Sequence, residues 1–553
     1  MENIEAWIDL TFTRYVGSFN RRPADQLAEI RESLCAKADL YRASFHARAG
    51  RAWAAQHLDE VLGRLLTDEF DAGSMPPAKL FASIEAMKAR TLLDQMAGRF
   101  SAPRAPATRA KLAGLEREVT RFAPSADHAP DTQLTFEEMR NVSRLPIGTL
   151  WDRGERRALL DKLEQAYCEF GGGFEGVEPI ADLADVQRTL GPREMLIEYF
   201  IPFHPLHPAI GLIVLAITAG NCHVRRFDFA RAARESGEFT GSIIIDGRQP
   251  LAVDELGSRV LLARTAIQNG DDDKARAQLR PLHDLVMWPL LTPGVMPKDL
   301  DHLILVPHGV LHVMPFAALV NAQARYLIED LALSVVPSAT VWHRLATTRR
   351  PALSGFLGLA NPLPDTRPLQ AAEPEVRRVA ELLQPLTTAV LQREQATKPA
   401  LRAHLPGNGI LHFATHGEFP ELDAIDFHRI LLAPSPDDDG RLNADEIRGM
   451  DLHAIRLAVL SICNGGLYRF GPGDEPYGLM PMFLIAGAEN VIGTLWPIED
   501  EFGRIFMRRL YAEKLPAGPV HALQRTASYF IERDAKLRQW ASCVLVGPGR
   551  PVA

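Results

Sequence analysis

Two residues of this 553-residue chain stand where a thiol and an imidazole could work together. Cys463 follows a run of β-formers, residues 457–462 (LAVLSI), and opens a Gly- and Pro-rich loop. His416 stands two residues past another apolar run, residues 410–414 (ILHFA). A thiol attacks carbonyls only as thiolate, and an unperturbed cysteine has a pKa of about 8.5. A neighbouring imidazole can take that proton and return it to a leaving amine. The oxyanion that forms needs donors, ideally backbone N–H groups. Gly417 follows His416 and has no side chain to obstruct its amide, and the amide of Cys463 is the natural second donor. Gly465 and Gly466 leave room for a substrate backbone. The plainer assignments are a buried structural thiol at a strand end for Cys463 and a capping or core histidine for His416.

The elements that must position these residues alternate regularly after a polar, Pro-containing break at residues 349–354 (RRPALS). Strands are expected over 356–360, 389–391, 410–414, 457–462, 491–495 and 543–546. Helices are expected over 373–383, 397–404, 444–448, 478–488, 500–511 and 520–533. Such alternation calls for a largely parallel sheet with helices on both faces. Ligand sites in such sheets lie beyond the carboxyl ends of the strands. His416 and Cys463 both sit just past such an end, so neighbouring strands would bring them to one rim. From about residue 190 to the break, strands over 194–201, 212–218 and 223–229 look like a hairpin or meander; helices over 253–268 and 277–291 follow, then strands over 303–306 and 333–336.

Residues 1 to about 180 read as helical. Leu27, Ile30, Leu34, Tyr41 and Phe45 recur at helical spacing, with Gly50 as the stop. Leu58, Val61, Leu62, Leu65 and Leu66 mark another helix. Ser74, Pro76 and Pro77 signal the start of one helix over 80–96, and Thr135 with Glu138 has capping-box spacing. A further stripe, Leu159 to Phe170, is stopped by Gly171, Gly172 and Gly173. The expected packing is antiparallel helix pairs, as a degenerate tetratricopeptide-like array or an irregular bundle; no clean 34-residue repeat is present.

The bulk numbers exclude several classes. The chain is 46% hydrophobic and 24% charged with net charge −8, which argues against a dedicated nucleic-acid binder. No apolar run approaches the ~20 residues that cross a bilayer, and the acidic start MENIEAWIDLTF lacks a signal peptide's pattern. A cytoplasmic protein without membrane contact is expected. The five cysteines, Cys35, Cys168, Cys222, Cys463 and Cys543, form neither a disulfide framework nor a zinc pattern. His308 and His312 have i,i+4 spacing, but Gly309 and the strand context argue against a helix that would pair them on a metal, and a zinc site at His204 and His207 lacks partners. Gly471-Pro472-Gly473 is no phosphate loop. No metal or cofactor is expected.

Several segments in order resemble the CHAT domain, the caspase-like peptidases found beside tetratricopeptide repeats. They are LILVPHGVLHVMPFAAL (303–319), VVPSATVW, EQATK, LHFATHGEF, RLNADEI, LAVLSICNGG, YGLMPMFLIAGAENVIGTLWPIED and WASCVLVG. The resemblance covers about 185–550, and residues 81–97 look like a helix that often precedes the domain. It implies an α/β caspase-like fold, a mostly parallel sheet flanked by helices, preceded by an all-α helical-hairpin region. The implied division is a helical regulatory or interaction region (1–184), a non-catalytic caspase-like half (185–350) and a catalytic half (351–553).

The resemblance further implies a cysteine endopeptidase of the caspase and separase group, with His416 and Cys463 as catalytic dyad and Gly417 as the oxyanion-hole glycine. Ser461, two before the cysteine, maps to the primary substrate pocket. Asp500 is either an acidic wall of that pocket or the N-cap of its helix, and Glu418 either shapes the cleft or is solvent-exposed. The acidic, Gly-rich loop 465–477 needs contacts outside itself to hold a shape. That suggests latency until the helical region binds a regulatory protein or the chain is cut. The expected partners are a protein substrate and such a regulator, and the pathway suggested by analogy is bacterial defence, stress or programmed death. The competing readings are a catalytically idle scaffold that signals by shape, and a cysteine-dependent acyl transferase or hydrolase of small substrates.

Overall fold

The computed structural model describes residues 24–48, 75–101, 150–201, 211–228, 253–291, 294–363, 369–418, 428–462, 465–466 and 468–551, with single positions among 50–66 and 108–115. The expected capping box at Thr135 and Glu138 lies outside the described residues. So do His204, His207 and Cys463.

Helices α1 (Ala24–Ala43), α2 (Pro77–Glu85), α3 (Arg90–Met96) and α4 (Leu150–Phe170) precede the sheet. The stop after α4 is the expected one, because Gly171, Gly172 and Gly173 all adopt positive φ. Two expectations are corrected. Gly50 is no stop: it is itself helical, and a Cβ there would meet Glu164 Oε1 and the Phe45 ring edge at 2.4 and 2.5 Å. The single helix expected over 80–96 is broken between α2 and α3, where Ala89 turns left-handed at φ 48°.

One eleven-stranded sheet runs through the rest of the chain. Its strands are β1 (Glu194–Phe200), β2 (Gly211–Ile217), β3 (Cys222–Asp228), β4 (His302–Val306), β5 (Ala332–Val335), β6 (Gly355–Ala360), β7 (Thr387–Gln392), β8 (Ile410–Ala414), β12 (Leu457–Ser461), β15 (Asn490–Thr494) and β16 (Cys543–Val546). The numbers between belong to two small antiparallel ribbons. One is β9 (Gly417–Glu418), β10 (Arg429–Leu431) and β11 (Arg441–Asn443); the other is β13 (Tyr468–Gly471) with β14 (Glu475–Gly478). The spatial order is β3-β2-β1-β4-β5-β16-β15-β12-β8-β6-β7. Pairing is parallel except at β1–β2, β2–β3 and β15–β16. This is the fold class expected from the sequence.

Alternation within the strands decides what covers each face. Leu196, Phe200, Ile213, Leu215, Ile304 and Val306 pack with Leu34, Tyr41, Leu62, Leu80 and Phe81 of the helical region. The interleaved residues Met195, Ile197, Leu212, Val214, Leu303 and Leu305 face helices α5 (Val253–Gln268) and α6 (Asp272–Leu291). The N-terminal helices are thus one layer of the β1–β2–β4 sandwich. Each such fully buried aliphatic side chain contributes about 1.5–3 kcal/mol.

The break between α2 and α3 is a hub of buried charge. Glu85 accepts from the amides of Ala339 and Thr340 at 2.9 and 2.8 Å, capping helix α7 (Ala339–Thr347). Lys88 donates to the Tyr199 and Pro307 carbonyls at 3.1 and 2.8 Å and lies 3.7 Å from Glu198. Burial and the neighbouring Glu85 raise the Glu198 carboxyl well above its usual range, against the pull of Lys88. The Ala89 amide donates to the Gly473 carbonyl at 3.0 Å. The Glu475 carboxylate accepts from the Thr91 and Leu92 amides, the latter at 3.0 Å.

Candidate functional site

β8 lies between β6 and β12, parallel to both, with Ala414 opposite Ala360 on one side and Ser461 on the other. The three strands therefore end at the same edge. His412, inside β8, fixes this strand to the helices behind it. Its Nε2 lies 2.9 Å from Glu375 and its Nδ1 3.0 Å from the Tyr511 hydroxyl, linking helices α8 (Ala372–Leu382) and α9 (Asp500–Ala512) to the sheet.

Past the end of β8, the Thr415 hydroxyl donates to the Leu431 carbonyl at 2.6 Å, and the His416 carbonyl accepts from the Leu431 amide at 2.9 Å. His416 is half-buried at the rim. Gly417 and Glu418 then pair with Ile430 and Arg429. Glu418 lies 3.4 Å from both Arg429 and Arg441, so two cations already share its charge.

Ser461 is the half-buried last residue of β12, and Ile462 follows it. Cys463 lies outside the described residues, but the chain on both sides is pinned. The Ile462 carbonyl accepts from the Gly465 amide at 3.0 Å and from the Thr494 hydroxyl at 2.7 Å. The Gly466 amide donates to the Thr494 carbonyl at 2.9 Å. Gly466 is obligatory here, since a Cβ on it would stand 2.8 Å from the Gly493 backbone.

Asp500 does not cap its own helix. Glu499 holds the N-cap position, and the Asp500 carboxylate accepts from the Ala371 amide at 2.9 Å, just ahead of α8. It is exposed to solvent.

The segment expected as a loop shaped by contacts outside itself, 465–477, contains most of the β13–β14 hairpin, closed by a turn at Pro472–Asp474. Its outside contacts are extensive. Besides Glu475 on α3, Asp474 accepts from the Gly309 amide at 2.9 Å and meets His312 Nε2 at 2.7 Å. Burial disfavours the Asp474 charge, but His312, His308 and Lys88 outweigh it and hold the carboxyl well below its usual range. His308 is extended, just ahead of a 3₁₀ turn over Gly309–Val313 that carries His312. Among the described residues no group of three or more His, Cys, Asp or Glu could hold a metal ion.

The other cysteines differ in reactivity. Burial pushes the Cys222 and Cys543 thiols up to about 12 and raises that of Cys35, which makes them poor nucleophiles at neutral pH. Cys168 is exposed on α4.

Residues 276–548 match the family model of the CHAT domain. The chain carries a CHAT domain. The CHAT match takes in β4 to β16, and with them His416 and the turn around Cys463. Among curated proteins, human tetratricopeptide repeat protein 28 is 26% identical over 336 residues, 49% of this chain and 13% of that protein. The mouse protein is 27% identical over 333 residues, with the same shares. This chain therefore spans about an eighth of the length of these relatives. Among solved structures, the Saccharomyces cerevisiae separase–securin complex aligns at TM-score 0.41 and 12% identity over 95% of this chain and 48% of that one. The complex of Porphyromonas gingivalis RgpB pro- and mature domains aligns at 0.34 and 8% over 52% and 72%. Among the described residues no helix is long and apolar enough to cross a membrane.

Sequence reasoning missed Thr494 and the hub at Glu85, Lys88 and Glu475. The available signals were the GTLW segment and the acidic residues of the 465–477 stretch.

Proposed function

We propose that this protein is a cysteine endopeptidase in which Cys463 is the nucleophile and His416 the acid–base partner. The observation that carries the reading is the register of β8 and β12. Ala414 stands opposite Ser461 on adjacent parallel strands, and each candidate is two residues further along its own chain. His416 takes the Cys463 proton, and the sulfur adds to the substrate carbonyl while its π pair moves to oxygen. The amides of Gly417 and Cys463 are the proposed donors to that oxyanion. Collapse breaks the C–N bond, His416 protonates the departing amine, and a thioester remains. Water attacks it with His416 as base, releasing the acid and the thiol.

Ser461 belongs to the proposed primary pocket. Glu418 and Asp500 contribute less charge there than their types suggest, because each is already engaged. The proposed division is regulatory helices (1–184), a non-catalytic half (185–350) and a catalytic half (351–553). A cytoplasmic role in defence or programmed death rests on family resemblance. The test compares wild type with Cys463→Ala on a whole proteome. Fragments that appear only with the thiol support the proposal, and identical fragment patterns sink it.

The regulatory part of the proposal rests on the hub. The hairpin that follows Cys463 is held by α3, through Glu475 and Gly473, so a movement of the helical region is felt eleven or so residues from the nucleophile. Burial raises the Glu475 carboxyl from 4.5 to about 7, against the amides of Thr91 and Leu92; the nearby Asp94 charge adds to the rise. The docked hairpin thus favours the protonated form. Its contribution is complete below about pH 4.5 and is lost as pH rises through about 7. Chymotryptic nicking at Phe470 or Tyr477 is expected to accelerate between about pH 5 and 7 and to level off above that, and Glu475→Gln, which cannot ionise, is expected to flatten that rise. An equal rise in the Gln variant refutes the assignment.

A further inference from the structure

Thr494 ends β15, is 1% exposed, and touches the chain on both sides of position 463. Its hydroxyl donates to the Ile462 carbonyl at 2.7 Å, and its own carbonyl accepts the Gly466 amide at 2.9 Å. The Gly465 amide fills the second lone pair of the Ile462 carbonyl at 3.0 Å. Gly466 and Gly493 meet so closely that a Cβ on either would come within 2.8 Å of the other's backbone. Ile462, Gly465 and Gly466, the described residues flanking position 463, have little freedom to swing away from this strap.

The consequence follows from peptide geometry. A trans peptide is planar, with its C=O and the next N–H pointing in opposite directions. The N–H opposite the Ile462 carbonyl belongs to residue 463. Fixing that carbonyl with two hydrogen bonds therefore fixes the direction of the amide that follows. We propose that Thr494 is a positioning residue that aims the Cys463 amide at the oxyanion, a role that rests on the peptidase reading above. Thr494 touches no reacting atom. It acts by holding one peptide plane, so its contribution appears only in steps that build negative charge on a carbonyl oxygen.

That restriction supplies the test. A peptidyl aldehyde reacts by S–C bond formation, with the π pair passing to oxygen and the thiol proton held on His416, giving a hemithioacetal oxyanion beside an imidazolium. Its capture needs the oxyanion donor. Iodoacetamide reacts by displacing iodide from carbon, and no oxyanion develops. Thr494→Val keeps the side chain's shape and removes the hydroxyl. It is expected to weaken aldehyde capture and lower kcat on unfolded casein by about 100-fold each, the scale of a lost oxyanion donor. KM is expected to change less than about threefold, as for an interaction made only in the transition state. Iodoacetamide labelling of Cys463, read by mass spectrometry, stays within about twofold of wild type on the same reasoning. Thr494→Ser restores the hydroxyl and is expected to recover aldehyde capture to within about threefold.

Parallel loss of aldehyde capture and iodoacetamide labelling in Thr494→Val overturns the proposal, because it reports a turn that has lost its general structure. So does a Thr494→Ser protein that captures aldehyde as poorly as Thr494→Val, or a Thr494→Val protein that captures it as well as wild type. If wild type and Cys463→Ala respond alike to the aldehyde, the peptidase reading itself falls. That outcome is distinct from Cys463-dependent capture that is indifferent to Thr494.

Discussion

His416→Ala is expected to lower Cys463-dependent cleavage of an unfolded protein by about 10³-fold, within the range for a positioned acid–base group. In the proposed mechanism the imidazole has three tasks in one cycle, taking the thiol proton, protonating the amine and activating the water, so its loss is expected to slow both acylation and deacylation. The fold should tolerate the change. His416 is half-buried, and its contribution to the ribbon is a backbone carbonyl bonded to the Leu431 amide, which alanine preserves. The thermal midpoint is expected to stay within about 2 °C, consistent with a change of a few tenths of a kcal/mol. Free imidazole at tens of millimolar should restore part of the lost rate, which a merely structural role could not allow. Wild-type cleavage by His416→Ala would remove the histidine from the mechanism.

Lys88→Met is expected to be the most destabilising single change in the helical region, costing about 3–5 kcal/mol in urea unfolding. The ammonium is 1% exposed and satisfies two strand-end carbonyls, those of Tyr199 and Pro307, while lying 3.7 Å from Glu198. Methionine fills the volume but leaves those oxygens buried without that donor. Adding Glu198→Gln should recover part of the loss, so the double variant costs less than the two single changes combined. A cost below about 1 kcal/mol for Lys88→Met would mean that the hub is not a structural anchor. The effect should reach activity as well, because the same break carries Ala89, Thr91 and Leu92, which hold the hairpin through Gly473 and Glu475.

The strands were legible because central parallel strands are continuous apolar runs, and ILHFA, LAVLS and CVLV can be little else. Their ends were legible too, which is why His416 and Cys463 were expected at one rim if their strands were neighbours, as β8 and β12 are. What local pattern could not supply is capping at long range. A capping box is visible because its residues are three apart. Glu475 caps a helix whose amides are 383 and 384 residues away, and nothing in either segment announces the other. The same holds for Asp500, which spends its carboxylate on the Ala371 amide, 129 residues distant, instead of on its own helix. The break at Ala89 was hidden for a related reason. Its residues are good helix formers, and it is the pull of partners on Lys88 and Ala89 that overrides their propensity.

The position of β16 bears on when the molecule becomes competent. This strand, at 543–546, sits in the middle of the sheet, parallel to β5 on one side and antiparallel to β15 on the other. During synthesis the strands β1 to β5 and the strands β6 to β15 emerge as two half-sheets with facing raw edges. They can be joined only when residue 546 has left the ribosome. Thr494 pairs directly with Cys543 in that seam, so the strap over position 463 gains its own support at the same moment. Closure of the sheet and support for the strap over position 463 thus come from the same strand.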